Sequence, residues 1–201
     1  MRKFFFLAFA AVLLLGVGPC GGGSGGGDDD SGGNADDDSG SNDDDASGDD
    51  DTYGNLTWQN PPSSDYMTWE EAKAYCDNLS FDGHDDWRLP KISELRSLIR
   101  GCDATMTGGA CNATDDCLDF SCDNHPCCGC DQLAGPGSGG AYWPDGMSGA
   151  IDHYWSSSPV ADGGSPAWGV IFGFGRVYGG DTDCSHSDDV GPDGYARCVR
   201  P

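Results

Sequence analysis

Eleven cysteines are the most reactive groups in this 201-residue chain. Seven of them, at 102, 111, 117, 122, 127, 128 and 130, crowd between Cys102 and Cys130. Thiolates at that density suit zinc or a softer metal. The same cysteines in an oxidising compartment make disulfides. The run Cys127-Cys128-Gly129-Cys130 lacks the two clean C-x-x-C pairs of a zinc site, which favours disulfides. Setting Cys20 aside leaves ten, an even number. Seven is odd, so at least one cysteine of the cluster pairs outside it, and Cys184 is the obvious candidate.

The other candidate groups are carboxylates and histidines. Asp181, Asp183, Asp188, Asp189 and Asp193 form an acidic loop that could hold calcium, although a solvated loop is the simpler reading. His84, His125, His153 and His186 are scattered with no metal-ligand spacing. There is no Ser-His-Asp order, no Gly-rich phosphate loop and no H-E-x-x-H. The expectation is therefore no catalytic residues, no resident metal and no cofactor.

These groups are delivered by a chain with three parts. Residues 1–19 have a basic start at Arg2 and Lys3 and an apolar run, Phe4 to Leu15, too short for a stable membrane span. They read as an export signal. A signal ending at Cys20 resembles a bacterial lipoprotein signal, with Cys20 the lipid-modified residue; an ordinary secretory cleavage nearby stays open. Residues 20–52 form an Asp/Gly/Ser-rich tether that repeats Asp triplets at 28–30, 36–38, 43–45 and 49–51. With no apolar residue larger than Ala beyond Cys20, it cannot bury enough surface to offset chain entropy and is expected to be a disordered spacer. The triplets lack the alternating ligands and fixed Gly of a calcium loop.

Residues 53–201 are the folded part, long enough for one core. Twelve of the 34 acids lie in the tether, so from Thr52 onward 22 acids face eight bases. Such a surface has no basic face for phosphates, which argues against nucleic acid as a partner.

Thr68 with Glu71 makes a capping box, and Trp69, Ala72, Tyr75, Cys76 and Leu79 fall on one helical face. Trp87-Arg88-Leu89 reads as a short strand. A second helix runs from Pro90 to Gly101, with Ile92, Leu95, Leu98 and Ile99 on one face and Arg96 and Arg100 suiting the negative end of the dipole. Leu56 to Gln59 and His153 to Ser157 are bulky strands. Ala167 to Phe172 places Trp168, Val170 and Phe172 on one face and pairs with Arg176-Val177-Tyr178 across Gly173-Phe174-Gly175. Tyr195 to Arg200 is a closing strand. The Cys-rich segment 102–141 reads as an insertion stapled by its own bridges rather than a core element.

Five ordered blocks carry a resemblance: Thr-Trp-Glu-Glu-Ala-Lys-Ala-Tyr-Cys at 68–76, Asp-Trp-Arg-Leu-Pro-Lys-Ile-Ser-Glu-Leu at 86–95, Tyr-Trp-Ser-Ser-Ser at 154–158, Ala-Trp-Gly-Val-Ile-Phe-Gly-Phe-Gly-Arg-Val at 167–177 and Tyr-Ala-Arg-Cys-Val-Arg at 195–200. Together they resemble the Lcl C-terminal domain family of bacterial surface proteins. The resemblance implies an α+β, C-type-lectin-like fold, with two helices flanking small antiparallel sheets and the Cys-rich segment as a disulfide-rich insertion. It implies a bridge from Cys76 to Cys198. It also implies a surface-exposed adhesion or polysaccharide-binding role, with a polysaccharide or a surface protein as partner. The signal adds a lipid anchor in the cell envelope, at an outer membrane.

The calcium-linked sugar motifs of lectins are missing; Trp143-Pro144-Asp145 is a partial echo. If the ligand is a glycan, Trp143, Trp168 and Tyr178 are the candidate stacking rings and Asp145 and Asp181 the hydrogen-bond partners, although Trp168 also fits a core position. Trp58, Trp69, Trp87 and Trp155 are assigned to the core. Two alternatives compete with a binding module. The first helix block and Arg88-Leu89-Pro90 are similar to formylglycine-generating copper oxidases, for which Cys184 and Cys198 would be the metal pair. A purely structural envelope protein is the other.

Overall fold

Thr68 starts the first helix by the expected exchange. Its hydroxyl accepts from the Glu71 amide at 3.4 Å, and the Glu71 carboxylate accepts from the Thr68 amide at 2.9 Å. The helix, α1, spans Trp69–Asp77 and buries Ala72 and Cys76. These features belong to a computed structural model that describes residues 52–53, 55–162, 165–179, 184 and 192–201. The signal, Cys20, nearly all of the tether, and Asp181, Asp183, Asp188 and Asp189 of the acidic loop lie outside the described residues.

The second helix, α2, is shorter than its apolar pattern suggests, covering Ile92–Arg96. Beyond it the amides of Leu98 and Ile99 donate three residues back, to the carbonyls of Leu95 and Arg96, so the last turn tightens while Leu98 and Ile99 stay buried. Arg96 does not serve the helix dipole. It is 3 % exposed and turns inward: its Nε donates to the Thr105 carbonyl at 3.0 Å, one terminal nitrogen to Met106 at 3.1 Å, and the other to Ala113.

Two antiparallel three-stranded sheets complete the α+β fold. In the first, β1 (Thr52–Tyr53) pairs with β2 (Leu56–Trp58), which pairs with β6 (Val199–Arg200). In the second, β3 (His153–Pro159), β4 (Ala167–Ile171) and β5 (Arg176–Tyr178) lie in sequence order, with Ile171 opposite Arg176 across the hairpin. Residues of β4 are buried throughout, so the outward half of its alternation is covered as well. The expected strand at 87–89 reduces to a single bridge in which the Arg88 and Val199 amides each donate to the other's carbonyl.

The closing segment connects the sheets. The Tyr195 amide donates to His153 and its carbonyl accepts from Trp155, while Val199 pairs with Trp58. Cys76–Cys198, the bridge implied by resemblance, ties α1 to this segment. The other four bridges are 102–130, 111–127, 117–122 and 128–184, so the odd cysteine of the cluster does pair with Cys184.

The segment 102–141 differs from expectation in its packing. Cys102, Cys111, Cys122 and Cys127 join Trp143, Tyr154, Trp168 and Phe172 in the larger hydrophobic cluster. Bridged sulfurs pack as apolar groups, so this stretch supplies core and not only a stapled loop. A second cluster lies between α1 and the closing segment, with Trp87, Leu89, Trp155, Ala196 and the Cys76–Cys198 pair.

Candidate functional site

An open groove of about 450 Å³ lies where α1, the Arg88 bridge, the start of α2 and β3 meet. Lys73, Asp77, Arg88, Leu89, Lys91, Glu94 and Ser157 line it. A lobe of about 240 Å³, lined by Lys91, Asp115, Leu118, Ser157, Ser158 and Pro159, adjoins it through Lys91 and Ser157. Three of the eight bases that follow residue 52 therefore face one groove.

Their positions follow from local structure. Lys73 stands on the outer side of α1, its Nζ 2.9 Å from the Glu70 carboxylate and 3.6 Å above the Trp69 ring. The Arg88 guanidinium donates both terminal nitrogens to Glu94 at 2.7 Å, a two-pronged pairing. Glu94 also accepts from the Lys91 amide at 2.8 Å, which serves the start of α2. Burial pushes the Glu94 carboxyl up, but the Arg88 fork and the Lys91 amide outweigh it and hold the group below the usual carboxylate range. The floor is pinned as well. The Ser157 amide donates to Pro90 at 2.7 Å, the Ser158 hydroxyl accepts from the Ile92 amide at 3.0 Å, and Asp115 and Ser93 exchange amide-to-side-chain bonds. The groove thus offers charged and hydroxyl groups already held in place, suited to a polar ligand lying along the surface.

The residues expected to stack on sugar are placed differently. Trp143 is 1 % exposed and Trp168 is fully buried, so neither presents a ring to solvent. Trp143 packs on Tyr154 and Phe172, with the Arg197 guanidinium 5.4 Å from its ring. The Trp168 indole donates to the Leu118 carbonyl at 3.1 Å. The segment 102–141 covers both positions, which a strand pattern alone does not reveal. Tyr178 is half-buried against His153 and Arg176. Asp145 is exposed and accepts from the Gly146 amide, and Asp181 lies outside the described residues. Of the tryptophans assigned to the core, Trp58, Trp87 and Trp155 are buried, while Trp69 is partly exposed and packs against the smaller cluster.

Two exposed aromatics among the described residues, Phe120 and Tyr66, were not singled out by pattern. Tyr66 is 50 % exposed in the loop before α1, stacked on Tyr195 with its hydroxyl on Asp152. Its signal in the sequence is an aromatic in a Pro/Ser/Asp run outside any periodic element.

His153, the first residue of β3, is 2 % exposed and in edge contact with Trp155 and Tyr178. Neither ring nitrogen has a well-formed hydrogen bond among the described residues, although the Asp193 backbone approaches. Burial brings the imidazole down to about 4, so it is neutral at neutral pH. All ten cysteines among the described residues are bridged; Cys184 and Cys198 sit in different disulfides, with Cys128 and Cys76, and do not form a free pair for copper. Among the described residues no group of three or more His, Cys, Asp or Glu is arranged to hold a metal, and no helix is long and apolar enough to cross a membrane.

No curated protein and no solved structure matches the chain. The capped first helix, the bridge from it to the closing strand and the paired small sheets occur together in the stretch that one family model covers. That model, the Lcl C-terminal domain, matches residues 49–200, and the chain belongs to this family.

Proposed function

We propose that this protein is a non-catalytic, surface-exposed binding module that holds extracellular polysaccharide for adhesion, on a lectin-like scaffold joined to the cell envelope through a lipid at Cys20. The observation that carries this reading is the groove. In a domain where acids outnumber bases 22 to eight, Lys73, Arg88 and Lys91 converge on one open surface beside Ser157. Ion pairs order the Lys73 and Arg88 side chains, so those two lose little freedom on binding. Cations beside hydroxyls suit the acidic and hydroxyl groups of a polysaccharide. Family membership and five disulfides support a surface or secreted setting.

The test is binding of the purified, processed protein to immobilised neutral and anionic polysaccharides, with Lys91→Glu and Lys73→Glu as variants. Each reversal is expected to weaken binding to anionic polymers about fivefold, the scale of an exposed charge pair, without changing the melting temperature. No retention on any polysaccharide, or retention indifferent to both reversals, overturns the groove as the site. Turnover of a thiol peptide with oxygen uptake would instead favour the oxidase reading.

A further inference from the structure

Tyr66 has two properties that rarely coincide, high exposure and fixed position. Its ring lies 4.3 Å from the Tyr195 ring, centroid to centroid, at 38°. Its hydroxyl donates to one Asp152 oxygen, while the other Asp152 oxygen accepts from the His153 amide at 2.7 Å. The backbone beside both rings is locked: the amides of Met67 and Gly194 each donate to the other's carbonyl at 2.9 Å. Tyr195 in turn leans on the buried Tyr154 ring, 5.6 Å away. One face of Tyr66 is thus backed by aromatic packing while half of its surface stays in water. Folding has already ordered the side chain, so a ligand that covers the open face does not have to freeze it.

We propose that Tyr66, backed by Tyr195 and edged by Asp152, is a stacking subsite for an uncharged hexopyranose unit of a polysaccharide. It rests on the polysaccharide reading above for its ligand class, and lies apart from the groove. A pyranose is amphipathic: an apolar C–H face covers an aromatic ring, and hydroxyls at its rim seek acceptors. Asp152 keeps unused lone pairs at the ring edge, and the exposed Asp65 adds a carboxylate nearby in the chain. These acceptors take sugar hydroxyls and repel uronate or sulfate. The platform is also the wrong size for a protein. A standard interface buries about 800 Å² per partner, and the other large exposed apolar residues among those described, Phe120 and Leu133, belong to the 102–141 segment rather than to this loop.

The experiment is calorimetric titration of the processed protein with maltohexaose, cellohexaose and mannohexaose, and separately with a sulfated polysaccharide, using Tyr66→Ala, Tyr66→Phe and Lys91→Glu. The expected result is binding of at least one neutral hexasaccharide, weakened about tenfold by Tyr66→Ala. Tyr66→Phe keeps the ring and is expected to retain most of that affinity, and Lys91→Glu to leave it unchanged. Ring resonances of Tyr66 should shift on addition of the neutral sugar. If none of the three hexasaccharides binds, or if Tyr66→Ala binds as tightly as the parent, the subsite is wrong. Retention of the sulfated polymer with sensitivity to Lys91→Glu would then leave the groove standing. Loss of neutral binding in Lys91→Glu but not in Tyr66→Ala would assign the sugar to the groove and overturn the platform.

Discussion

Cys76, in the last turn of α1, is bonded to Cys198, the residue that leads into β6, and neither is exposed to solvent. The bond spans 122 positions of sequence. Closing a loop of that length restricts the unfolded chain by about 5 kcal/mol in the chain-entropy model. Replacing both residues by Ala is expected to lower unfolding free energy by that order, measured by urea titration with the other four bridges intact. A loss below about 1 kcal/mol would mean that packing, not the covalent tie, holds α1 to the closing segment.

Arg96 is a buried cation whose hydrogen-bond partners are carbonyls, three of them in residues 105–113. Burial lowers its pKa from the ordinary arginine value, and the carbonyl dipoles compensate the retained charge. Arg96→Met keeps much of the volume but leaves those carbonyls unpaired, at a cost of about 3 kcal/mol. Amide exchange should accelerate first at residues 102–113. Arg96→Lys, which cannot span three acceptors, should recover only part of the loss; full rescue by Lys would show that charge alone matters.

His153 gives stability a pH dependence of definite sign. Its folded pKa is about 4, against 6.5 for the free side chain. Between these values the unfolded chain binds a proton that the native protein refuses, so stability falls as pH drops through this window. Full passage costs about 3 kcal/mol at 1.36 kcal/mol per unit. Denaturation midpoints between pH 7 and pH 4 should trace this loss, and His153→Gln should flatten it. An NMR titration placing His153 near 6.5 in the native state would remove the basis for the effect.

Gly129 sits between two bridged cysteines at φ +85°, where a side chain is strained. A Cβ there would press on the Phe174 carbonyl and stand 2.9 Å from the Arg176 amide nitrogen. The neighbouring Cys130 amide donates to that same Phe174 carbonyl at 2.8 Å, docking the segment on the β4–β5 turn. Gly129→Ala should destabilise by about 2 kcal/mol or more. An unchanged melting temperature would show that the turn yields easily.

Local signals were the legible ones. The Thr68–Glu71 cap, the α1 face and the β4–β5 hairpin rest on residues a few positions apart, and each is found where its pattern put it. Parity placed Cys184 opposite the cluster, and resemblance placed Cys76 opposite Cys198. What escaped depends on contacts with no period. Arg96 looks like a helix-end cation until residues 105–113 fold over it. Trp143 looks like a loop aromatic until Phe172 and Arg197 enclose it. The groove joins residues from α1, the Arg88 bridge, α2 and β3 that no single window contains.

The segment 194–200 touches both sheets and carries the cysteine bonded to α1. Native structure therefore cannot close before this segment is in place, because pairings between residues distant in sequence depend on it. Oxidation of Cys198 against Cys76 then acts as a latch, set only once this segment has docked.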